Sequence, residues 1–342
     1  MKKTIHLLLL LCSIHYSYAQ KVEFQTLLKD SISIRAIQIW DGKVWYAGTD
    51  AKFGYVSLTD STDKKQIRLS SEKLQFRTLA QDKTSFFAIN ILSPAYFFKI
   101  DKQTLEAKIV QIDTSKTAFY DALKFVDSSF ALTFSDPAEN NKLNVAISRN
   151  GGDKWSTIKD ARNLPTLKKG EAAFAASNTN IAAQGKYIWI ATGGTKSSII
   201  RMKNRNSAWE IFETPFIQGT ATQGIYSIDF YDENFGIAVG GDYSIQKANI
   251  NNVATTTDGG ATWQIQASGK NGGYKTCVKI RPNSQGKDII AVGDQNIEYS
   301  TDYGKTWQTI SNERNLYTCE WTDEYTVILA GKNRIVKMKF ID

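Results

Sequence analysis

Seven polar side chains stand beside short apolar segments at recurring positions of this chain, where they could bind or cleave a polar ligand. These candidate ligand-binding residues are Arg35, Arg77, Asp121, Asp136, Glu171, Asp242 and Tyr243. A suitably spaced pair of carboxylates can hydrolyse a glycosidic bond by acid–base or nucleophilic catalysis. Arginine side chains suit the recognition of carboxylates and other acidic groups. The set therefore allows either a carbohydrate-active enzyme or a site for an acidic or sugar-like ligand.

Other catalytic chemistries are excluded once the N-terminus is interpreted as an export signal. Residues 1–19 have a charged start, an apolar centre and the small-x-small cleavage pattern Ser17-Tyr18-Ala19. The only histidines, His6 and His15, lie within this signal. Region 20–342 therefore has no Ser-His-Asp triad and no histidine to ligate a metal, and we expect no metal and no cofactor. The signal predicts a periplasmic or secreted protein.

Charge and hydropathy limit the partners. Loss of Lys2 and Lys3 with the signal leaves 40 of the 42 Lys and Arg residues, against 34 Asp and Glu. This small excess is dispersed, which is typical of a soluble surface rather than of nucleic-acid binding. The apolar run of the signal is too short for a permanent membrane span, and no other stretch approaches that length. We therefore expect a monomer with neither a nucleic-acid partner nor a membrane span.

Three copies of a short pattern indicate which elements hold the candidate residues. Their common form is Ser/Thr-x-Asp/Asn-x-Gly-x-x-Trp, the Asp-box or BNR repeat. The Asp or Asn side chain accepts backbone hydrogen bonds, the glycine supplies a positive φ, and the tryptophan packs between sheets. All these roles are structural. The residues that carry them are Ser148, Asn150, Gly152, Trp155, Thr256, Asp258, Gly260, Trp263, Ser300, Asp302, Gly304 and Trp307.

Weaker copies of the same unit fill the rest of the chain, at spacings of roughly 40 to 55 residues. Each copy has short apolar runs with period-2 alternation and none has a sustained helical period. We predict an all-β fold, a single seven-bladed β-propeller of four-stranded antiparallel blades that spans residues 20–342. The approximate blades are 33–70, 75–113, 118–160, 171–214, 223–268, 273–311 and 315–341, the last completed by strand 22–28.

The seventh unit is one strand short, and the N-terminus supplies a match. Phe24-Gln25-Thr26-Leu27 resembles Trp307-Gln308-Thr309-Ile310, the outer strand of the sixth unit. We therefore predict that the N-terminal strand closes the last blade. Such a closure removes exposed sheet edges and fixes both termini.

The first strands of propeller blades surround a central channel, whose mouths usually hold the ligand. In the fourth unit the predicted first strand is residues 172–176. Aligned first strands place around the channel Arg35, Arg77, Asp121, Glu171, Tyr226, Thr276 and Tyr317. Two interpretations stay open. The ring is a ligand-binding funnel, or its arginines only neutralise Asp121 and Glu171.

Cys277 and Cys319 are the two cysteines of region 20–342, and they fall on first strands of neighbouring units. Their offset in the alignment places them on opposite faces. We therefore predict two buried free thiols, since cysteine often packs as a small apolar residue.

Several segments together resemble one large family. They include Phe119-Tyr120-Asp121-Ala122-Leu123, Phe134-Ser135-Asp136-Pro137, Gly240-Gly241-Asp242-Tyr243 and the stretch 170–177. In these the chain is similar to secreted BNR-repeat propellers of the photosystem II stability/assembly factor type, often labelled oxidoreductase or glycosyl hydrolase. The resemblance covers the whole exported region. It implies a seven-bladed propeller outside the cytoplasm.

Two functions follow from these observations. The first is a non-catalytic binding or assembly propeller whose partner, a protein or a glycan, sits at the channel mouth. The alternative is a glycoside hydrolase-like enzyme that uses a carboxylate pair without histidine, drawn from Asp121, Asp136, Glu171 and Asp242.

Overall fold

The computed structural model describes residues 20–137, 140–158, 164–205 and 208–341. The predicted export signal, residues 1–19, lies outside these ranges. Within them the chain forms β-strands, turns and irregular loops, and none of the described residues belongs to a helix able to cross a bilayer.

The first fourteen strands are β1 (Lys21–Trp40), β2 (Lys43–Gly48), β3 (Lys52–Ser57), β4 (Lys64–Arg68), β5 (Ala80–Gln81), β6 (Ser85–Ile89), β7 (Ala95–Asp101), β8 (Ala107–Asp113), β9 (Tyr120–Phe125), β10 (Ala131–Ser135), β11 (Asn144–Ser148), β12 (Ser156–Thr157), β13 (Glu171–Ala172) and β14 (Ile181–Gln184). The remaining strands are β15 (Tyr187–Ala191), β16 (Gly193–Gly194), β17 (Ser198–Lys203), β18 (Trp209–Glu213), β19 (Gln223–Phe230), β20 (Gly236–Asp242), β21 (Val253–Thr256), β22 (Gln264–Ile265), β23 (Cys277–Ile280), β24 (Ile289–Val292), β25 (Ile297–Ser300), β26 (Gln308–Ser311), β27 (Leu316–Trp321) and β28 (Thr326–Ile341).

The described strands form six antiparallel sheets, so the prediction of seven four-stranded blades is wrong. Four of the sheets have four strands, in the orders β5-β6-β7-β8, β12-β11-β10-β9, β14-β15-β17-β18 and β23-β24-β25-β26. The other two have six strands, in the orders β27-β28-β1-β2-β3-β4 and β13-β16-β19-β20-β21-β22.

Two long strands, β1 and β28, explain why there are six sheets rather than seven. The N-terminal part of β1 pairs with β28, with Lys21 opposite Ile341 and Lys29 opposite Arg334. The C-terminal part of β1 pairs with β2. The predicted boundary between strand 22–28 and blade 33–70 is absent, because the backbone runs through as one strand with a register shift in its pairing between Lys29 and Ser33. What was expected as a separate last blade is therefore hydrogen-bonded into the same sheet as the first strands.

The predicted strand 172–176 is also wrong. Only Glu171 and Ala172 are in a strand, and they pair with the short strand β16. The first long strand of this region is β14, which begins at Ile181. Residues 173–179, which we call the crossing segment, are irregular and leave the sheet. Residues 172–176 are four alanines and one phenylalanine, an apolar run that resembles a strand in the sequence.

Apolar side chains fill the space between neighbouring sheets. Trp189 of β15 is fully buried and stacks on Phe230 of β19, with ring centroids 3.7 Å apart and planes at 7°. Trp45 of β2 packs in a similar way against Phe86 of β6, with centroids 4.5 Å apart. Large aromatic surfaces of this kind dominate core energetics. They fix the sheets relative to one another and hence the innermost strands around the channel.

The three repeated turns share one hydrogen-bonding pattern. In the first turn Gly152 N donates to Ser148 Oγ at 2.9 Å, Lys154 N donates to Asn150 Oδ1 at 3.0 Å, and Trp155 Nε1 donates to Gly152 O at 3.1 Å. The corresponding bonds recur in the turns at 256–263 and 300–307. Gly152 has φ of 79°, and a Cβ there would meet the Phe87 ring at 2.3 Å. These side chains therefore hold the turns.

We expect Asp258→Ala to lower the free energy of unfolding by about 1–2 kcal/mol, because it removes an acceptor of local bonds to Thr262 N, Thr262 Oγ1 and Thr256 Oγ1. Asp258→Asn is the matched control. The first turn already uses asparagine at this position, in Asn150, and keeps the Oδ1 bonds. Urea unfolding of both variants checks this, and equal losses for Ala and Asn would contradict the assigned role.

Cys277 and Cys319 are free and buried, as predicted. Their sulfur atoms, however, lie 3.7 Å apart, so the expectation of opposite faces is wrong. The reason is a register shift in the pairing of β27 with β28 between Leu316 and Thr318. Such a shift turns a side chain to the other face, and the sequence alignment contained no sign of it.

Candidate functional site

The crossing segment is held on one side by the two arginines of the predicted ring. Arg35 Nη1 donates to Ala176 O at 3.0 Å, and Arg77 Nη1 donates to Ala175 O at 3.3 Å. These pairs are separated by 141 and 98 residues along the chain. Backbone carbonyls of residues 173–179 therefore occupy the position between blades where the sequence analysis expected an open channel.

Residues in or directly before strands of other sheets hold the same segment further along. Ser177 Oγ donates to Thr276 O at 2.6 Å, and Thr318 Oγ1 donates to Ser177 O at 3.2 Å. Asn178 Nδ2 donates to Leu79 O at 2.9 Å. Thr318 lies in β27, while Thr276 and Leu79 directly precede β23 and β5. One cavity lies on its arginine side and a second lies beyond Ser177.

The first of these, which we call the mouth cavity, has a volume of about 440 Å³. Charged, aromatic and amide side chains line it together with the alanines of the crossing segment. The principal lining residues are Arg35, Arg77, Asp136, Phe174, Tyr226, Tyr243, Gln246, Tyr274, Thr276 and Asp294. Four of the seven candidate residues from the sequence, Arg35, Arg77, Asp136 and Tyr243, therefore meet here.

The two guanidinium groups form no ion pair with an Asp or Glu among the described residues. Arg35 lies over the ring of Tyr317, with Cζ 4.1 Å from the centroid. Burial, followed by repulsion from Arg35, lowers the pKa of Arg77 to about 10, so this side chain is still cationic at neutral pH. Its Nε is buried and bonds to no protein atom.

An aromatic wall adjoins the arginines. Phe174 of the crossing segment stacks on Tyr226, with centroids 4.0 Å apart and planes at 1°. Tyr274 meets the Tyr226 ring edge-on at 4.8 Å. Tyr243 is half exposed at the rim of the cavity. This wall presents flat apolar surface beside positive charge, an arrangement suited to a ligand that combines both features.

Two of the carboxyl groups named from the sequence lie near the arginines, Asp136 in the cavity and Asp121 beneath it. Burial raises the pKa of Asp136 to about 6. Burial raises the pKa of Asp121 well above its ordinary value, the Asp136 carboxylate adds to this, and the Arg77 cation opposes it. Asp121 is fully buried, does not line the cavity, and neither of its oxygens has a hydrogen-bond partner.

Glu171 and Asp242 do not line the mouth cavity. Glu171 accepts hydrogen bonds from Thr192 Oγ1 at 2.6 Å and from Lys168 N at 2.9 Å. Asp242 accepts from Ser244 N at 2.9 Å and Ser244 Oγ at 2.6 Å. Both carboxylates therefore hold local loops. The arginines donate hydrogen bonds to carbonyl oxygens of the crossing segment. Of the two carboxyl groups that they were expected to neutralise, Asp121 feels the Arg77 cation, whereas Glu171 is bonded to Thr192 and Lys168.

Sequence reasoning missed Asp294, Tyr274 and the aromatic role of Phe174. Asp294 follows β24 as Asp136 follows β10, so the same position after a second strand could have indicated it. It accepts a bond from Gln246 Nε2 at 2.9 Å through Oδ2, and its Oδ1 is buried without a partner. Phe174 gave no such signal, because it was assigned to a strand.

The raised pKa of Asp136 predicts a pH-dependent stability. The folded state holds the proton of the Asp136 carboxyl more tightly than the unfolded chain does. The protonated carboxyl therefore contributes fully to the free energy of unfolding below a pH of about 4, and this contribution is lost as the pH rises through about 6. Asp136→Asn cannot ionise. We expect its free energy of unfolding to exceed the wild-type value increasingly from pH 4 to 7, by at most about 3 kcal/mol. Urea unfolding across this range checks it, and parallel profiles would contradict the assignment.

No profile of a known protein family matches the chain, and no curated protein matches it. Solved structures do. One described as YCF48 bound to D1 peptide covers 94% of this chain and 97% of its own, with a TM-score of 0.64 and 12% identity. YCF48 from Cyanidioschyzon merolae covers 93% of this chain and 98% of its own, with a TM-score of 0.63 and 13% identity. The RRP9 WD40 repeats cover 95% of this chain and 99% of their own, with a TM-score of 0.65 and 10% identity. At such identities the likeness concerns the fold, and the chain is an all-β propeller.

Proposed function

We propose that this protein is a binding propeller that holds an acidic segment of a partner protein in its mouth cavity. The observation that carries the proposal is the pair Arg35 and Arg77, two cations at the base of a cavity with no carboxylate in ion-pair contact among the described residues. Both arginines are partly buried, and charges taken out of water are normally found paired. A carboxylate from outside supplies the missing partner, and arginine binds it with charge-assisted hydrogen bonds.

Cavity size and wall chemistry support a peptide over a simple anion. A volume of about 440 Å³ exceeds what one carboxylate needs. The stacked rings of Phe174 and Tyr226, with Tyr243 at the rim, offer apolar surface to the side chains that flank the acidic group. The binding or assembly role agrees with the propeller fold, and one structural neighbour is described as bound to a peptide. That neighbour's ligand belongs to that protein, since fold alone does not determine function.

The proposed compartment is outside the cytoplasm, periplasmic or extracellular, after removal of residues 1–19. The support is the charged start, apolar centre and small-residue end of that segment. The partner is then a protein of the same compartment, and residues 20–342 are the form to use in experiments.

The carbohydrate-active alternative has less support from the geometry. Of the four carboxylates named from the sequence, only Asp136 lines the cavity. Asp294 is the second carboxylate there, and its Oδ2 already accepts a bond from Gln246. A hydrolase needs both an acid and a base or nucleophile within reach of the sugar. Asp136 and Asp294 are the pair that such an enzyme would use.

The test is a paired array experiment on residues 20–342. One array carries synthetic peptides with Asp or Glu, each beside its Asn or Gln counterpart, and the other carries glycans. We expect retention of acidic peptides over their amide counterparts, with no cleavage of glycans. Selective glycan binding with hydrolysis that Asp136→Asn abolishes would replace the proposal by the enzyme. Equal retention of acidic and amide peptides would overturn the acidic-ligand proposal.

A further inference from the structure

The second cavity, beyond Ser177, has a volume of about 150 Å³ and is lined by charged and polar side chains together with apolar ones. Cys319 is among its lining residues, and the Cys277 sulfur lies directly behind at 3.7 Å. Both thiols are buried, and Cys277 Sγ also lies 3.8 Å from the Cys319 carbonyl oxygen. The two cysteines thus form a contacting pair on neighbouring strands, β23 and β27, beside a small polar space.

We infer that Cys277 and Cys319 form a redox-active dithiol that a small peroxide, entering through the polar cavity, converts to a disulfide between β23 and β27. The contact geometry is the first support, because the two sulfurs already touch and only a small approach is needed for bonding. The cavity is the second support. Its volume is large enough to admit hydrogen peroxide beside Cys319.

The charges around the pair favour the reactive thiolate form. Burial raises the pKa of Cys277, but the hydrogen bond from Cys319 and the Lys279 ammonium outweigh it and bring the pKa to about 7. Burial raises the pKa of Cys319. The other charged groups that face this space are Lys124, Asp229 and Glu320, the last in an ion pair of 2.6 Å with Lys279. Thiolate is the form that oxidants attack.

The proposed step is a two-electron oxidation of the sulfur pair. One thiolate attacks a peroxide oxygen, the O–O bond breaks, and the hydroxide that leaves takes up a proton to become water. The resulting sulfenic acid is attacked by the second sulfur, an S–S bond forms, the S–O bond breaks, and a second water leaves with the remaining thiol proton. In sum, two thiols and one peroxide give one disulfide and two waters.

The experiment is peroxide titration of folded residues 20–342, followed by blocking of free thiols and mass spectrometry of unreduced peptides. We expect a cross-linked Cys277–Cys319 peptide 2 mass units below the sum of its thiol forms. Cys319→Ser should stop at a sulfenic acid on Cys277 that dimedone traps, whereas Cys277→Ser, which keeps only the thiol with the raised pKa, should form sulfenic acid more slowly. Two thiols still free for alkylation after unfolding, or sulfinic acid on one cysteine without a cross-link, would overturn the inference.

A matched pair of variants tests the electrostatic part. Glu320→Gln keeps the Lys279 ammonium, whereas the double variant Lys279→Met with Glu320→Gln removes it together with the carboxylate of its ion-pair partner. We expect cross-linking at pH 7 to be at least about threefold slower in the double variant, and to recover at higher pH, because less thiolate is present. Equal cross-linking rates and equal pH profiles in the single and double variants would show that the Lys279 ammonium does not promote thiolate formation.

Discussion

Deletion of residues 20–28 is expected to lower the melting temperature of the chain 20–342 by at least about 10 °C, or to prevent its folding altogether. These residues form the first part of β1, which pairs with β28 from Ile341 to Ile335. Leu27 and Leu28 are 3% and 6% exposed, and truncation of such a buried side chain costs about 2–5 kcal/mol. Each kcal/mol corresponds to about 2–4 °C in a chain of this size class.

The deletion also leaves the C-terminal strand as an open edge that could pair with other chains. Thermal unfolding followed by circular dichroism measures the effect. A matched pair within the same strand separates packing from length, with Leu27→Ala as the buried change and Phe24→Ala, 38% exposed, as the control. Melting of the deletion variant at the wild-type temperature would show that this strand does not hold the ring closed.

Arg77→Ala is expected to weaken binding of acidic peptides by at least about tenfold while the protein stays folded. A charge-assisted hydrogen bond lost from a ligand costs about 1.5–3 kcal/mol, and each 1.4 kcal/mol is a factor of ten in affinity. Stability should fall by only about 1 kcal/mol, because the bond lost within the protein is the long one to Ala175 O, at 3.3 Å. Isothermal titration with the tightest peptide from the array, together with urea unfolding, gives both numbers.

Lys83→Ala is the control for overall charge. Lys83 is exposed in the turn between β5 and β6, at the end of the inner strand away from Arg77. We expect this variant to bind peptide within about twofold of wild type at physiological salt, since exposed distant charges are screened. Peptide affinity that is unaffected in Arg77→Ala, or reduced equally in both variants, would contradict a specific role for the arginine.

Local patterning made much of the fold predictable. Period-2 alternation and turn residues indicated the strands, and the match of residues 24–27 with 307–310 indicated that the N-terminus pairs with the C-terminal strand, as β1 and β28 do. The number of sheets was not predictable in this way. Two blades share one hydrogen-bonded sheet here because the backbone between Lys29 and Ser33 continues as strand. The sequence of that short segment is compatible both with a strand and with a separate link between two blades.

The sequence predicted those residues of the candidate site whose place follows from their position on or next to a repeated strand. It did not predict those whose place depends on the course of an irregular segment. Arg35, Arg77 and Asp136 were found because equivalent positions of repeated units fall at one end of the channel. Glu171 was misplaced because the strand expected after it does not form, and the chain crosses the channel instead. That path is fixed by hydrogen bonds to residues about 100 or more positions away, such as Arg35 to Ala176, which no local pattern encodes.

The most direct test of the central claim places a photoreactive benzoyl group at either end of the channel. Tyr243 lines the mouth cavity and is 50% exposed, and Tyr325, in the turn before β28, is 51% exposed, so the two sites are matched in type and accessibility. Each tyrosine is replaced in turn by benzoylphenylalanine and irradiated with the tightest acidic peptide. We expect the peptide to cross-link to position 243 and not to position 325. We also expect the cross-link at position 243 to disappear when Arg77→Ala is added. Cross-linking from position 325 alone, or equally from both, would contradict a ligand site at the mouth cavity.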